Sequence, residues 1–270
     1  MASERVEGCR AEPGTATALR HGPVVALASR IQQLLLPRTA PVCRWGCIGV
    51  MNRMAKALGG DYFDFIPMAD GREVVLIGDV TGHDIQSSVV MSLVYGFLHH
   101  CALTADTPLG MVSQLNRFLI RFADRGVELD HHFSSTLFLG IIDPASLRME
   151  YVNAGHVPPL VQRGSSQYRL SPTAPPVGFF AETEMAPGSF RFERGDRLLL
   201  YTDGILDASN GAGEVFGAGR LEAFLAATGG SYIRFMDELA AALRAFGAND
   251  PPDDDCSAIV IDFWETGPGG

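Results

Sequence analysis

The stretch LGGDYFDFIPMADGREVVLIGDVTGHD, residues 58–84, contains two acidic turns joined by a predicted hairpin. Residues 74–77 form a short apolar run rich in β-branched side chains, which is typical of a buried strand. The preceding strand is predicted over residues 62–68, and a turn with aspartate and glycine separates the two. If these strands pair antiparallel, Asp61 and Asp79 arrive at the same end of one sheet.

Two carboxylates at one sheet edge, each preceded by glycine, suit a hard divalent cation such as Mg²⁺ or Mn²⁺, because these ions prefer oxygen ligands. Gly-Asp pairs are also ordinary turn residues, and each pair taken alone is more often a turn than a ligand. The metal interpretation therefore depends on further acidic residues elsewhere in the chain.

The composition is that of an ordinary globular protein, with 270 residues of which 47% are hydrophobic and 19% charged. The net charge of −10 argues against a general nucleic-acid binder and fits a protein that gathers carboxylates around cations. Five cysteines at irregular spacing do not make a disulfide framework. The N-terminus lacks the apolar core of a signal peptide, and no apolar run approaches the ~18–20 residues that cross a bilayer. We therefore expect a cytoplasmic protein with neither a membrane nor a nucleic-acid partner.

The chain divides into four predicted segments. Residues 1–22 are rich in Ala, Gly, Glu and Arg without periodicity, which predicts disorder. Residues 23–37 are predicted to form an amphipathic helix that ends at Pro37 and that packs on the domain, dimerises or docks a partner. Residues 38–264 are predicted to form one domain, and residues 265–270 a disordered tail. The apolar stripe of the helix consists of Val25, Leu27 or Ala28, Ile31, Leu34 and Leu35.

After Asp79 the apolar period changes from two to between three and four, which predicts helices over residues 84–101 and after Pro108. Asp84 is a plausible N-cap of the first of these helices. Hairpin-like neighbours dominate the remaining order, so the chain does not follow βαβ alternation. Further strands are predicted at 133–142, 148–153, 156–161, 196–202 and 257–263, helices at 216–227 and 231–246, and a loop or flap at 165–187.

Acidic residues lie at the ends of four predicted strands. Asp61 precedes a strand, Asp79 and Asp203 end strands, and Asp254–Asp255 precede the last strand. Gathered carboxylates repel one another and raise their pKa values unless a cation neutralises them. Two divalent ions ~3.5–4 Å apart would hold a bridging water, lower its pKa and stabilise an in-line phosphoryl displacement. No G-x-S-x-G nucleophile motif is present, which argues against a serine nucleophile of that kind.

Several segments in succession resemble, in order and spacing, the motifs of the bacterial SpoIIE-type branch of the PPM metal-dependent serine/threonine protein phosphatases. The resemblance extends from about Leu36 to Phe263. It implies an α+β fold, an αββα sandwich of two antiparallel sheets flanked by helices, with a binuclear Mn²⁺ or Mg²⁺ site at one edge. The segments are GGDYFDF, VVLIGDVTGH, FSSTLFLGIID, YVNAGHVPPL, LLLYTDGILDA, VFGAGRL and DDDCSAIVI.

The resemblance assigns roles by position. Asp61, Asp79, Asp203 and Asp254 correspond to the catalytic metal ligands, with Asp79 bridging the two ions and the backbone carbonyl of Val80 contributing.

The closing motif leaves its register open because Asp253, Asp254 and Asp255 are consecutive; the match makes Asp254 the ligand and Asp255 its neighbour. For the NAGH motif, support of the site is favoured over direct substrate contact. The candidates for support or substrate contact are Asp64, His83, Asp84, Asn153, His156 and Asp255.

One departure from the family pattern follows the second acidic turn. The family usually continues T-G-H/K-G-x-x-A-A, whereas this chain has Asp84, Ser87 and Ser88. Helix capping explains Asp84 most simply; alternatively, its charge repels a phosphate dianion or recruits a third cation. Because the principal ligands remain, the departure does not predict an inactive enzyme.

The family's substrates are commonly phosphoserine or phosphothreonine on STAS-domain antagonists of anti-sigma factors. The resemblance therefore implies a phosphoprotein phosphatase that uses a metal-bridging water and is controlled through the N-terminal helix by a homodimer or a regulatory partner. Two alternatives stay open: a catalytically weak module of the same fold that sequesters a signalling partner, and a hydrolase of small phosphate esters.

Overall fold

The computed structural model describes residues 22–37, 40–41, 43, 45–82, 85–125 and 133–264. Its helices and strands, in chain order, are α1 (Pro23–Leu35), β1 (Gly46–Arg53), β2 (Asp61–Pro67), β3 (Glu73–Val80), α2 (Ile85–Thr104), α3 (Pro108–Ala123), β4 (Ser135–Asp143), β5 (Arg148–Ala154), β6 (Leu160–Arg163), β7 (Ser166–Arg169), β8 (Gly188–Arg191), β9 (Arg197–Tyr201), α4 (Asp203–Asp207), α5 (Gly217–Ala227), α6 (Tyr232–Phe246) and β10 (Cys256–Phe263).

The strands form two antiparallel sheets of five strands each. Sheet A has the order β1-β10-β9-β6-β7, and sheet B has the order β2-β3-β4-β5-β8. Helices α2 and α3 contact sheet B, whereas α5 and α6 contact sheet A. One buried apolar cluster contains residues from both sheets and from α2 and α3, and a second lies between sheet A and helices α5 and α6. The predicted αββα sandwich is confirmed.

Strand β10 illustrates why the central strands are apolar on both faces. Ile259 and Ile261 belong to the cluster shared by the two sheets, whereas Ala258 and Val260 belong to the cluster under α5 and α6. Successive side chains of a strand point to opposite faces, and both faces of β10 are covered. The strand is therefore a continuous apolar run and was correctly predicted from the sequence.

Short elements are where the sequence interpretation was wrong. The predicted loop at 165–187 contains β7, a strand at the edge of sheet A, and is followed directly by β8 at the edge of sheet B. Most residues of β7 are exposed, so its sequence carries no apolar alternation. The five-residue helix α4 is too short to show helical periodicity. Strand β6 begins at Leu160, later than the predicted residue 156.

Helix α2 contradicts the expectation that no segment is long and apolar enough to span a bilayer. Among the described residues, α2 alone meets that test by length and composition. The sequence of α2 contains no Asp, Glu, Lys or Arg. Its buried side chains include Met91, Val94 and Leu98, which join the core cluster shared with sheet B. The helix therefore packs as a core helix of the domain.

Helix α1 forms where it was predicted, but its apolar stripe is only partly used: Leu35 packs against the core and Val25 is half-buried. Leu27, Ile31 and Leu34 are 59%, 55% and 68% exposed, and the buried residue of the helix is Gln32. Helix α1 therefore packs on the domain through part of its stripe and leaves the rest exposed, and a role beyond packing stays a prediction. The predicted disordered segments 1–22, apart from Gly22, and 265–270 lie outside the described residues, as does the predicted cap Asp84.

Candidate metal centre

The β2–β3 hairpin sets the first two predicted ligands opposite each other. Asp61 begins β2 and pairs in register with Asp79, one residue before the end of β3. The predicted meeting of these two residues at one sheet end is confirmed. The neighbouring strand β4 adds Thr136 opposite Asp79 and Ser135 opposite Val80. The end of sheet B where the acidic turns lie therefore also carries hydroxyl groups.

Sheet A brings the other two acidic segments to the same edge. Strands β9 and β10 pair antiparallel, so Asp203, which follows β9, lies near the residues that precede β10. The Thr202 hydroxyl donates a hydrogen bond of 2.8 Å to Asp61 Oδ2 and thereby joins the two sheets. At Gly204 an added Cβ would lie 2.1 Å from the Asp255 carbonyl oxygen, so only glycine permits this approach.

The hydrogen bonds separate the roles of the three consecutive aspartates. The carboxylate of Asp255 accepts from the backbone N–H of Ala55 at 2.8 Å and of Gly60 at 3.0 Å, so it fixes the loop that carries the first acidic turn. Asp253 accepts from Ser209 and Asn249, away from the cluster. The Asp254 carboxylate is exposed and, among the described residues, accepts a hydrogen bond only from the N–H of its neighbour Asp255. These contacts favour Asp254 as the ligand of the three.

The pKa values reflect the crowding of negative charge. Burial and then the charge of Asp79 hold the pKa of Asp61 well above its usual range. Burial, followed by the charges of Asp203, Asp254 and Asp255, raises the pKa of Asp79 to about 8. Burial and the charge of Asp254 likewise raise the pKa of Asp203. A bound cation would relieve each of these costs.

The donors at this edge fit Mg²⁺ or Mn²⁺. All are carboxylate or carbonyl oxygens, which these ions prefer. A Cβ added at Gly60 would lie 2.7 Å from Asp79 Oδ1 and 2.8 Å from the Val80 carbonyl oxygen, so these two oxygens face the same space. Within the described ranges, no three His, Cys, Asp or Glu side chains converge tightly enough to enclose one ion. An open arrangement suits Mg²⁺, which keeps several waters and uses one or two carboxylates.

The NAGH residues tie the sheets together beneath this edge. His156 is buried, with Nδ1 2.9 Å from the Thr136 hydroxyl and Nε2 3.0 Å from the Tyr201 carbonyl oxygen. Burial lowers the pKa of His156 to about 4, so the ring is neutral at pH 7. The side chain of Asn153 accepts from the His156 N–H and donates to the Leu170 carbonyl. These contacts agree with support of the site rather than with substrate contact.

Asp64 is not brought to the acidic edge. It lies three residues after Asp61 on β2 and so faces the opposite side of the sheet. Its Oδ2 accepts a hydrogen bond of 2.5 Å from Tyr95 and lies 2.6 Å from His99 Nε2, both on α2. Asp64 therefore anchors α2 on β2. Of the remaining candidates, His83 and Asp84 lie outside the described residues.

Sequence reasoning missed the residues that hold the acidic turns in place. The Gln32 side chain bonds both backbone groups of Gly59, donating to its carbonyl at 2.7 Å and accepting from its N–H at 3.1 Å. The Ser135 hydroxyl donates to the Asp79 carbonyl at 2.8 Å and contacts the Tyr62 hydroxyl. No sequence signal marks Gln32, because its burial and its bonds to Gly59 become visible only in the folded chain.

Comparison with known proteins identifies the family. Residues 69–264, well over half of the chain, match the family described as Stage II sporulation protein E (SpoIIE). The chain belongs to the SpoIIE family. The prediction of the SpoIIE-type branch of the PPM phosphatases is confirmed, and that of a protein phosphatase is confirmed at the level of the family. The match begins after Asp61, so the role of Asp61 rests on geometry.

The SpoIIE family relationship extends to curated and solved proteins. Phosphoserine phosphatase RsbP of Bacillus subtilis is 33% identical over 56% of this chain and 37% of its own length. The chain spans between about a third and a half of the curated relatives that it matches. The RsbU and RsbW domains of Rv1364c from Mycobacterium tuberculosis are 25% identical, with a TM-score of 0.67 over 87% of this chain and 64% of that one. The SiaA-PP2C domain of Pseudomonas aeruginosa, 18% identical, has a TM-score of 0.76 over 89% of this chain and 96% of that one, and supports the fold.

Proposed function

We propose that this SpoIIE-family protein is a Mn²⁺- or Mg²⁺-dependent phosphatase of phosphoserine and phosphothreonine on a regulatory protein. The observation that carries the proposal is the register pair Asp61–Asp79, joined at one edge by acidic segments from the second sheet. The family is metal-dependent, and RsbX, a fold neighbour 13% identical with a TM-score of 0.57, was solved in complex with magnesium. Two ions at this edge are part of the proposal.

The side chains of Asp61, Asp79, Asp203 and Asp254, with the Val80 carbonyl, would hold the ions. Bound divalent ions supply positive charge to the phosphoryl oxygens and lower the pKa of water. The protein's own groups orient these ligands, since the Thr202 hydroxyl holds the Asp61 carboxylate and the Ser135 hydroxyl holds the backbone at Asp79.

Hydrolysis is proposed to proceed by direct attack of water, without a phosphoenzyme. Cys256 follows the proposed ligand Asp254 by two residues and opens β10. Burial, followed by the charge of Asp61, raises the pKa of Cys256 to about 12, so the thiolate is scarce at neutral pH. The Cys256 thiol instead donates to the Gly204 carbonyl. These properties argue against Cys256 as the nucleophile and favour water.

The proposed substrate is a phosphorylated STAS-domain antagonist of an anti-sigma factor. Support comes from RsbP and RsbU, relatives named phosphoserine phosphatases. A cytoplasmic location and the division into an N-terminal segment, helix and phosphatase domain over residues 38–264 belong to the same proposal.

The test of the activity compares neighbouring aspartates. Hydrolysis of p-nitrophenyl phosphate and of a phosphoserine peptide should require Mn²⁺ or Mg²⁺ and stop with chelator. Asp79→Asn, Asp203→Asn and Asp254→Asn should each reduce turnover by at least about 100-fold, because each removes a charged ligand. Asp253→Asn is the matched control and should retain turnover. Full activity of Asp79→Asn, or equal loss in Asp253→Asn, would contradict the proposal.

The binding-module alternative predicts that the chain binds its phosphoprotein partner without metal and leaves the phosphate in place. Hydrolysis of phosphate metabolites in preference to phosphopeptides would favour the small-ester alternative. Calorimetry with the partner and a panel of both substrate classes distinguish these outcomes.

Control through helix α1 is the second part of the proposal. Gln32 connects α1 to Gly59, the residue that opens the Gly59–Gly60–Asp61 turn. The exposed stripe of Leu27, Ile31 and Leu34 is available to a second copy or to a regulatory partner. Movement of α1 would pull on Gly59 through the glutamine and so shift the Asp61 carboxylate.

The test separates the stripe from the connection. Leu27→Glu with Leu34→Glu should lower the mass in solution or abolish partner binding, whereas Gln32→Ala should weaken Mn²⁺ affinity with the mass unchanged. Leu103→Glu, at an exposed position of α2, is the control for the added charge. Unchanged mass, partner binding, metal affinity and turnover in all variants would refute a regulatory role of α1.

A further inference from the structure

The outer side of the α2–α3 pair carries a row of partly buried phenylalanines. The two helices are antiparallel, because Phe97 contacts Phe118 while Cys101, one turn further along α2, contacts Gln114, one turn back on α3. The Phe97 and Phe118 rings stack at 4.5 Å, and Phe122 continues the row at 6.2 Å. A groove of about 380 Å³ runs over these rings.

Three arginines line the same groove. Arg117, Arg121 and Arg125 are exposed and follow one another at intervals of four residues. Within the part of the chain that the structure describes, none of the three forms an ion pair, whereas Arg163, Arg169 and other arginines do. The protein carries a net charge of −10, yet this groove gathers three cations that have no acidic partner among the described residues.

Ordinary helix electrostatics accounts for only part of this row. A cation near a helix C-terminus is stabilised by the helix dipole, which explains Arg121 in the last turn of α3. Arg117 lies well before that turn, and like charges four residues apart destabilise a helix. The row therefore costs stability in the isolated chain, and a partner that supplies negative charge would reverse that cost.

We propose that this groove docks an acidic amphipathic helix of a partner protein. Arg117 and Arg121 lie roughly 6 Å apart along the axis of α3, and Arg125 lies just beyond its end, so carboxylates at four-residue intervals on a partner helix can follow the row. Apolar side chains on the same face of that helix would lie on the phenylalanine row, in the manner of a helix bound in a groove between two others.

Charge and shape favour this occupant over two others. A small nucleotide binds where most of its surface is buried, whereas the guanidinium groups of this groove stand exposed at its edge. An anionic membrane would be repelled by the rest of a chain with a net charge of −10. Arginine's planar guanidinium pairs bidentately with carboxylates, which an acidic helix supplies in a row.

The groove leads toward the acidic edge. Helix α3 returns the chain to β4, whose first residue, Ser135, pairs with Val80 beside the proposed metal ligands. Arg125 is thus the member of the row at the catalytic end of the hairpin. A helix bound here would position the protein to which it belongs beside that edge without contacting the ligands.

The test uses a fluorescein-labelled helical peptide of roughly 14 residues, with leucines on one face and glutamates flanking them, and a twin in which lysine replaces glutamate. Fluorescence anisotropy with the full chain should show binding of the glutamate peptide and at least about tenfold weaker binding to the double variant Arg117→Glu, Arg121→Glu. That variant should in turn bind the lysine twin.

The matched control is Arg148→Glu with Arg191→Glu, an equal charge change at an exposed register pair of β5 and β8. The control should bind the glutamate peptide as the unchanged chain does. Turnover of p-nitrophenyl phosphate should be the same in all variants, which separates this test from that of the metal centre. Circular dichroism melting verifies that each variant is folded.

The proposal is overturned if the glutamate peptide does not bind at about 1 mM, or if both double variants bind it equally. It is also overturned if ATP or phosphatidylserine vesicles bind in an Arg117- and Arg121-dependent manner while the peptide does not, because the groove would then serve a nucleotide or a membrane.

Discussion

Replacing Asp79 by asparagine should stabilise the metal-free protein while destroying its metal site. Burial, followed by the charges of Asp203, Asp254 and Asp255, raises the pKa of Asp79 from 3.8 to about 8. The Asp79 carboxyl group holds its proton more tightly in the folded chain than in the unfolded chain. The folded protein therefore loses stability as the pH rises from 3.8 through about 8. The ionised Asp79 carboxylate thus destabilises the folded chain, and asparagine removes that charge.

The magnitude follows from the shift. At about 1.4 kcal/mol per pKa unit, the cost reaches at most about 2 kcal/mol at pH 5 and about 5 kcal/mol at pH 8. Because the side chains can turn apart and asparagine itself must be accommodated, we expect about 2 kcal/mol of net stabilisation at pH 8. In a domain of this size, that raises Tm by about 4–8 °C.

Thermal melting in chelator at pH 5 and pH 8 checks this value. Asp79→Asn should melt higher than the unchanged chain at pH 8, the gain should shrink at pH 5, and added Mn²⁺ should stabilise only the unchanged chain. Asp237→Asn, at an exposed position of α6, removes the same charge away from the cluster and should change Tm little. A lower Tm for Asp79→Asn at pH 8, or an equal gain for Asp237→Asn, would refute the reasoning.

Three further outcomes concern the residues around this edge. The pKa of His156 falls from 6.5 in the unfolded chain to about 4 in the folded chain, so acid protonates the unfolded chain first. The free energy of unfolding should therefore fall by up to about 3 kcal/mol as the pH drops from 6.5 to 4. Urea titrations should show a flatter pH dependence for His156→Gln. Asn153→Ala leaves the His156 N–H and the Leu170 carbonyl without partners, so the free energy of unfolding in urea should fall by about 2–4 kcal/mol. An unchanged free energy of unfolding would mean that water takes the place of the amide. Gly204→Ala forces a Cβ to 2.1 Å from the Asp255 carbonyl oxygen and should lower both Tm and Mn²⁺ affinity, whereas Gly219→Ala, with open space around it, should not.

The sequence predicted the parts of the fold whose signals are strong and local. The β2–β3 hairpin combines an apolar run with a glycine turn, so the opposition of Asp61 and Asp79 followed from pairing alone. β10 was recognised because both of its faces are buried. The edge strand β7 could not be predicted, since its residues face solvent and lack alternation.

The candidate site was predictable in its ligand types and less so in its supports. Runs of acidic residues at strand ends are visible in a sequence, but the hydrogen bonds that distinguish Asp254 from Asp255 depend on how the loop near Ala55 folds. The position of Asp64 on the far side of β2 follows from strand alternation and was available in advance. The bond from Gln32 to Gly59 joins residues distant in sequence, which only the assembled fold reveals.

The pairing of β1 with β10 has a consequence for biosynthesis. Gly46 lies opposite Phe263, so sheet A joins nearly the first and last residues of the domain, whereas the β2–β3 hairpin closes over the short turn 68–72. A chain emerging from the ribosome can therefore form the Asp61–Asp79 pair early, but it gains the segment with Asp254 only when β10 has been made. The proposed ligand set is complete only in a finished domain, so divalent ions would stabilise completed chains over nascent ones.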